Sequence, residues 1–378
     1  MKLRITNPGV LSTVQDKGRY GYMKAGVRTA GVMDSESYRA ANAILENDAN
    51  AAVLEMTLMG ITAVIEEDGC FVLTGAEMGG ALDGKPLERN QVIHAHTGQT
   101  LSMGMAVSGC RSYLAIEGGI DVPSVMGSRS TDVKCGIGGY QGRALLAGDL
   151  LYSERNETKK LTAELSVDGK KHFGQAAGQP TGQAALEANG QAAGQDAGRE
   201  KTHQKEAYRK KPVSYGTSAI VRVVEGPQAD WFSEEERRHF FHGTYEVTNE
   251  SDRMGMRLKG RPVKSIHGVD IVSDGIAFGS IQITKSGMPI IMMADHQTTG
   301  GYAKIGTVCS FDLPKLAQLR PGNQVSFQQI TVEEAQYLYC HPEERNRTAP
   351  LSLPNRKGER EGKRHHRFQK LLYHYRHG

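Results

Sequence analysis

A short polar stretch near the carboxyl-terminal end of the chain concentrates residue types that acid–base chemistry needs. In chain order it contains a carboxylate, an imidazole, an amide, two hydroxyls and two glycines: Asp295, His296, Gln297, Thr298, Thr299, Gly300 and Gly301. A carboxylate or an imidazole can move protons, and amide and hydroxyl groups can hold a developing oxyanion. The glycines allow the backbone to approach a ligand closely. The same residues are also typical of an ordinary turn, so both interpretations stay open here.

The segment before this stretch predicts a rigid support for it. Residues 277–284 are rich in β-branched side chains and predict a strand, and residues 285–289 predict a turn. The apolar run 290–293 is too short for a typical helix and has the length of a buried strand. A rigid strand that ends in several polar groups is a common way to build a site.

Two other stretches carry cations in patterns that could bind an anion. Lys17 and Arg19 follow Asp16 in a loop interrupted by glycine, and this loop is either an anion site or a solvated turn. Residues 123–131 place Arg129 between two hydroxyl residues beside a glycine. Backbone amides, hydroxyls and Arg129 could hold a carboxylate or a phosphate there, although the spacing matches no phosphate loop.

One helix is clearly predicted, over residues 33–46. Asp34 or Ser35 can cap its amino-terminal end, and the acidic Glu36 lies in its first turn. Asn42 lies on or near the apolar face of this helix. Because a buried Asn must be hydrogen-bonded, Asn42 is expected to hold a neighbouring loop in place.

Length and composition predict a β-rich chain of two domains. The 378 residues exceed the usual size of one domain, and many short apolar runs are separated by glycine. Residues 174–198 are rich in Gly, Gln and Ala and repeat GQAA three times, which favours disorder. We therefore predict an amino-terminal domain over 1–155, a disordered linker over 156–216, a second domain over 217–340 and a basic tail over 341–378. Apolar residues in the tail are spaced as in an amphipathic helix, although disorder is the other interpretation.

Charge, cysteine usage and missing motifs exclude several classes of function. Residues 355–378 hold eight Lys and Arg against two Glu, so the rest of the chain is close to neutral and predicts no nucleic-acid binding. The five cysteines are scattered without a C-x-x-C pair, which predicts reduced thiols and no metal site. The chain has no apolar run of 18 residues and no apolar leader, so we expect a cytoplasmic protein without a transmembrane segment. Phosphate-loop, dinucleotide and G-x-S-x-G motifs are absent as well.

Several longer motifs occur together in one order. They are TVQDKGRYGY (13–22), AGVMDSESYRAANAILEN (30–47), GSRST (127–131), GPQADWF (226–232), SDRMGMRLKG (251–260) and SDGIAFGSIQ followed by ADHQTTGGYAKI (273–305). Together they resemble the allophanate hydrolase subunit 2 family. That family comprises the carboxyl-terminal half of biotin-dependent urea carboxyltransferases and the free-standing C subunit of bacterial ATP-dependent 5-oxoprolinase.

The resemblance implies a mainly β fold with a few helices, built as two cyclophilin-like β-barrel domains. It also implies the related B subunit and the A subunit of such a complex as partners, with ATP and magnesium used at the level of the complex. This chain has no A-M-K-M biotin-attachment motif and no biotin carboxylase region. The C subunit of a 5-oxoprolinase is therefore the first expectation. The alternatives are the carboxyltransferase half of a carboxylase acting on urea or a similar amide, and a regulatory protein that binds a kinase-inhibiting homologue of the B subunit.

Ring opening of 5-oxoproline assigns roles to residues by type. A cation must hold the substrate carboxylate, donors must hold the developing oxyanion, and a base must activate water. The expected assignments are Arg253 or Arg129 for the carboxylate, Gln297, Thr298 and Thr299 for the oxygen, Asp295 or His296 for the base, Lys304 for a further positive charge, and Gly300 and Gly301 for close backbone approach.

Overall fold

A computed structural model describes residues 1–153 and 212–346, which form an amino-terminal half and a carboxyl-terminal half. Of the linker predicted over 156–216 only residues 212–216 are described, and of the tail only residues 341–346. The domain boundaries therefore stay predictions. Among the described residues, no helix is both long and apolar enough to cross a bilayer.

The amino-terminal half folds into two antiparallel sheets around one core. Its strands are β1 (Lys2–Asn7), β2 (Leu11–Gln15), β3 (Val53–Thr57), β4 (Thr62–Glu67), β5 (Gly69–Glu77), β6 (Ala81–Leu82), β7 (Lys85–Pro86), β8 (Ile93–Ala95), β9 (Thr100–Ser102), β10 (Ser108–Ile116) and β11 (Leu150–Tyr152). The strand orders are β11-β1-β4-β9-β6-β7 and β2-β3-β10-β5-β8. Alternation decides which face is buried, since Leu3 and Ile5 lie in the core whereas Arg4 between them is exposed.

The carboxyl-terminal half is a closed barrel with a separate two-stranded sheet. Its strands are β12 (Ser218–Glu225), β13 (Thr244–Val247), β14 (Gly255–Lys259), β15 (Asp270–Gly275), β16 (Ser280–Ile283), β17 (Pro289–Met292), β18 (Thr299–Tyr302), β19 (Lys304–Val308) and β20 (Gln324–Gln329). The barrel order is β12-β19-β16-β17-β14-β13-β20, while β15 pairs with β18 alone. Closure pairs the strand edges, and apolar side chains such as Val221, Ile281 and Phe327 fill the core.

Four α-helices complete the described fold: α1 (Ser35–Ile44), α2 (Glu234–His242), α3 (Leu313–Ala317) and α4 (Val332–Cys340). Asp34 caps α1 by accepting from the backbone amides of Glu36 and Ser37, as the sequence predicts. Asn42 donates to the Ala51 carbonyl at 3.0 Å, which confirms its predicted role in holding a loop. The predicted fold class, mainly β with a few helices, is confirmed, with a closed seven-stranded barrel in the carboxyl-terminal half and two sheets in the amino-terminal half.

The predicted strand, turn and second strand that precede the polar stretch are confirmed, except that the first strand begins later than predicted. The first strand begins at Ser280 rather than at residue 277. Gly279 adopts a φ of 90°, a left-handed conformation that ends the preceding turn and that a strand does not allow. The second strand, β17, delivers the polar stretch at its carboxyl-terminal end.

Gln318, directly after α3, joins the two halves through a buried amide. Its Oε1 accepts from the backbone amides of Cys110 and Arg111, each at 3.0 Å. Its Nε2 donates to Asp34 Oδ2 at 2.7 Å and to the Arg111 carbonyl at 2.9 Å. The amide therefore satisfies polar groups of β10 and of the α1 cap at once, and the two halves are held in direct contact.

Replacing Gln318 should destabilise the protein. Gln318→Ala leaves buried donors and acceptors of the amino-terminal half without partners, so the free energy of unfolding should fall by about 2–4 kcal/mol. Urea denaturation measures this change. The exposed Gln329 provides the matched control, since Gln329→Ala should stay within about 0.5 kcal/mol of the wild type. Equal effects of the two substitutions on the free energy of unfolding would contradict the conclusion that Gln318 joins the two halves.

Candidate active site between the two halves

The structure divides the polar stretch into two parts. Asp295 and His296 follow β17 after Met293 and Ala294 and are buried, with 7% and 3% of their surfaces exposed. Gln297 and Thr299 are exposed, and Thr299 begins β18. The stretch therefore contributes two buried side chains and then leads into the two-stranded sheet of β15 and β18.

Asp295 forms a buried ion pair with Arg253, which lies just before β14. The Arg253 Nε and Nη2 atoms donate to the two carboxylate oxygens of Asp295, each at 2.8 Å. Arg253 Nη1 donates to Glu55 on β3, and Nη2 also donates to the Gly31 carbonyl at 2.6 Å. Glu55 in turn accepts from the Tyr113 hydroxyl and the Met33 amide, both at 2.8 Å. One guanidinium thus connects acidic side chains from both halves.

The charges of this ion pair are stabilised by one another rather than by water. Burial opposes the charge of Arg253, but Asp295 and Glu55 outweigh it and raise the Arg253 pKa above its usual range. Burial raises the pKa of Asp295, and the ion pair with Arg253 offsets part of that rise. Arg253 is therefore engaged with groups of the protein itself, and binding of a substrate carboxylate by Arg253 stays a prediction, as does the role of Asp295 as a base.

His296 has the properties of a neutral general base. Its Nδ1 lies 2.7 Å from the Gln297 carbonyl oxygen. Because a carbonyl only accepts, Nδ1 carries the hydrogen and Nε2 keeps the lone pair. Burial lowers the pKa of His296, and the nearby positive charge of Arg28 adds to this effect. The imidazole is therefore uncharged near neutral pH.

Arg28 and Asp132 of the amino-terminal half complete the polar surroundings of His296. Arg28 Nη1 lies 3.7 Å from Asp132 Oδ1, and Oδ1 also accepts from the Cys135 amide at 3.1 Å. Asp132 is 1% exposed, and its charge acts on Asp295 as well. We call Arg28, Asp132, Asp295 and His296 the interdomain cluster. It places a base, a cation and an anion from both halves within one buried region.

The loop around Asp16 is buried, so a solvated turn is the wrong interpretation for Asp16 and Arg19. Asp16 accepts from the hydroxyls of Ser128 and Ser130, each at 2.6 Å. Arg19 is fully buried and donates to the carbonyls of Val125 and Ser130 at 3.0 and 2.9 Å. The two cationic stretches that the sequence treats separately thus form one structural unit. Only Lys17 of the first stretch is exposed.

Arg129 and Lys304 have other described partners. The Arg129 amide donates to Asp16 at 2.6 Å, and its Nε donates to the Val122 carbonyl at 3.1 Å. Lys304 Nζ donates to Asp274 Oδ2 at 2.6 Å and to the Gly275 carbonyl at 3.0 Å. Their expected contacts with substrate therefore stay predictions.

Gly300 packs closely against two side chains of the carboxyl-terminal half, which would have to move to admit a Cβ. A Cβ at this position would lie 2.4 Å from Ile276 Cδ1 and 2.6 Å from Gln282 Nε2. A Cβ on Gly301 would make an ordinary contact, 3.6 Å from the Ile271 carbonyl oxygen. Thr298 accepts at its backbone carbonyl from Ile276 at 3.1 Å. The predicted oxyanion donors thus lie at the start of β18 and just before it, and their role stays a prediction.

Two open depressions of about 510 and 540 Å³ lie on the barrel, both lined by the turn that joins β16 to β17. They share no residue with the interdomain cluster. Among the described residues, no group of three or more His, Cys, Asp or Glu side chains is arranged to hold a metal ion.

Comparison with known proteins places this geometry in a family. Residues 25–329 match the model of the carboxyltransferase domain, subdomains A and B. The chain is 34% identical to the C subunit of 5-oxoprolinase from Escherichia coli over 88% of its own length and 93% of that protein. It is 32% identical to the protein of the same name from Haemophilus influenzae, over 86% of this chain and 91% of the relative.

Solved structures show the same fold within larger proteins. The Kluyveromyces lactis urea carboxylase is 28% identical with a TM-score of 0.74, over 91% of this chain but only 28% of that one. The crystal structure of TTHA0988 is 28% identical with a TM-score of 0.66, over 86% of this chain and 55% of that one. Urea amidolyase of Lachancea kluyveri is 31% identical, and the match covers 17% of that protein.

Removing the guanidinium of Arg253 should be strongly destabilising. Arg253→Met leaves the carboxylates of Asp295 and Glu55 buried without their cation, so we expect a loss of about 3–5 kcal/mol in the free energy of unfolding. The exposed Arg257, on the neighbouring strand, gives the control Arg257→Met, with an expected change below about 1 kcal/mol. Guanidinium denaturation distinguishes the two, and a mild effect at Arg253 would rule out its bridging role.

The lowered pKa of His296 predicts a pH dependence of stability. An unfolded histidine binds a proton near pH 6.5, whereas the folded His296 does so only at lower pH. Stability contributed by neutral His296 is therefore complete above about pH 6.5 and decreases as the pH falls below it, by up to about 1.4 kcal/mol per pH unit. The wild type should thus lose stability relative to His296→Gln between pH 7.5 and 5.5. A difference between the two proteins that stays constant over this pH range would contradict the assignment.

Proposed function

The chain belongs to the family of carboxyltransferase domains with subdomains A and B, and we propose that it is the C subunit of an ATP-dependent 5-oxoprolinase complex that opens the 5-oxoproline lactam to L-glutamate. The two relatives named as 5-oxoprolinase C subunits support this reading because each matches this chain over more than nine-tenths of its own length. Both relatives are named as the C subunit of an enzyme, which supports a complex of several subunits. We take the partners of this chain to be the A and B subunits.

The observation that carries the proposal is a neutral, buried histidine facing charged groups from the other half of the molecule. Opening the lactam requires water to attack an unstrained amide carbon, and the water must lose a proton. His296 Nε2 holds a lone pair for that proton, since Nδ1–H is bonded to the Gln297 carbonyl. The Arg253–Asp295 ion pair fixes the backbone directly before His296 and thereby positions the base.

Arg28 supplies positive charge beside the base. Its Nη1 is buried and has no hydrogen-bond partner among the described residues. A cation withdrawn from water stabilises nearby negative charge more strongly than an exposed one. Burial around His296 also limits the access of bulk water.

ATP supplies the free energy that drives this hydrolysis when it is bound to the complex. The chain has no nucleotide phosphate loop, and its described residues provide no acidic cluster suited to magnesium. These residues do not fit a magnesium–ATP site. We therefore assign ATP binding to the partner proteins of the complex and derive no step through it on this chain.

Carboxyl transfer to urea or a similar amide is the second candidate function. The similarity to the Kluyveromyces lactis urea carboxylase, with a TM-score of 0.74, favours it. The same base could deprotonate the amine of such a substrate. Because this chain carries no biotin-attachment motif, that reaction would need a biotin carrier on another polypeptide.

The test is an assay of glutamate formation from 5-oxoproline and ATP. The purified chain should be inactive alone and active when combined with the A and B subunits. Within the complex, His296→Gln should lower kcat by about 10²–10⁴-fold because it removes the base, whereas exposed His242→Gln should leave kcat unchanged. Glutamate production by the chain alone would contradict the need for partners. Full activity of the His296→Gln complex would contradict the role of the imidazole.

A further inference from the structure

Three buried polar atoms of the amino-terminal half have no hydrogen-bond partner within the described part of the chain. They are Nη1 of Arg19, Nη1 of Arg28 and the Oδ2 oxygen of Asp132. Arg19 is fully buried and Asp132 is 1% exposed. Burying an unpaired polar group costs about 1–3 kcal/mol, and more for a charged one, so folded proteins rarely leave such groups unpaired. Three together indicate a place built to receive a polar ligand.

The three atoms belong to side chains of one neighbourhood in the amino-terminal half. Arg19 Nη2 donates to the carbonyl of Ser130, two residues before Asp132. Arg28 Nη1 lies 3.7 Å from Asp132 Oδ1. The same charged groups act on the Cys135 thiol. Burial and Asp132 raise the pKa of this thiol, whereas the positive charges of Arg28 and Arg19 oppose that rise. The charges of all three side chains therefore act within a single region, and the charge of Arg28 also reaches His296.

Gly138 packs directly against the guanidinium of Arg19 and limits its movement. A Cβ on Gly138 would lie 2.5 Å from Arg19 Nη2 and 2.3 Å from the Ser130 carbonyl oxygen. Gly138 also has a φ of 68°, which other residues rarely adopt. With Nε and Nη2 bonded to carbonyl oxygens, the guanidinium is fixed in place, and Nη1 is the nitrogen left for a ligand.

The two arginine donors and the Asp132 acceptor indicate which chemical groups a ligand must carry. Two cationic N–H donors attract an anionic oxygen, but the nearby Asp132 would repel a ligand that is anionic throughout. An ammonium ion would in turn be repelled by the arginines. The pattern suits a ligand that carries a carboxylate beside an N–H group, since arginine N–H groups bind carboxylates and a carboxylate oxygen accepts from N–H.

We propose that Arg19 and Arg28 bind the carboxylate of a cyclic amide acid such as 5-oxoproline, and that Asp132 accepts a hydrogen bond from its ring N–H. This rests on the proposed function and specifies the substrate class: a lactam that bears a carboxylate on the carbon next to nitrogen. Such a pose holds the amide at the cluster that contains His296. Arg19, Arg28 and Asp132 are then the residues that determine specificity.

The experiment uses the complete complex with the A and B subunits and measures KM and kcat separately. Arg28→Gln and Arg19→Lys should each raise KM for 5-oxoproline by about tenfold or more, the effect of losing one charged hydrogen bond. Arg39→Gln, at an exposed position on α1, is the matched control and should leave KM unchanged. Circular dichroism of each variant checks that it folds.

Substrate analogues test the same contacts on the wild-type complex, so the outcome does not depend on whether a variant folds. Without ATP, calorimetry should show 5-oxoproline binding at least about tenfold more tightly than N-methyl-5-oxoproline, which lacks the N–H, or 2-pyrrolidone, which lacks the carboxylate. Equal affinities for the three compounds would overturn the inference, as would an unchanged KM in well-folded Arg28→Gln and Arg19→Lys complexes.

The two proposals fail differently. If the wild-type complex forms glutamate but these variants and analogues behave like the controls, the carboxylate and N–H contacts are wrong and the proposed function stands. If the wild-type complex forms no glutamate from 5-oxoproline, the proposed function fails and this inference fails with it.

Discussion

The buried charge of Arg253 is the constraint on which the interface depends. Its cationic group is satisfied by Asp295 in its own half and by Glu55 and the Gly31 carbonyl in the other. Because removing one partner of a buried ion pair costs several kcal/mol, these three charged side chains depend on one another wherever the halves are in contact. Asp295 is thereby fixed, and His296 follows it directly. The position of the base relative to Arg28 and Asp132 is thus a consequence of one guanidinium bonded across two domains.

Local features of this fold follow from local sequence. The strand–turn–strand unit before Asp295, the Asp34 cap and the buried role of Asn42 each depend on residues close in the chain, where periodicity and capping preferences act. The β-rich class follows from many short apolar runs of this kind. The start of β16 lies three residues beyond the predicted one because the conformation of Gly279 is a tertiary detail.

The pairing of charged side chains could not be derived in this way. Arg253 and Glu55 are 198 residues apart in sequence, and Asp16 and Ser130 are 114 apart, so only the topology brings them together. The sequence presents Arg253 as an available cation, whereas the fold surrounds it with acceptors. Asp132 lies one residue beyond the stretch around Arg129 that the sequence indicates, and nothing local distinguishes it from a surface acid.

We propose that the substrate lies between the two halves, against His296 and Arg28, and not in the open depressions of the barrel. A crystal structure of the complete complex with 5-oxoproline, determined without ATP, tests this most directly. We expect density for the ligand within hydrogen-bond distance of Arg28 and Asp132, with its ring carbonyl towards His296. Ligand density confined to a partner protein or to the barrel surface would contradict it.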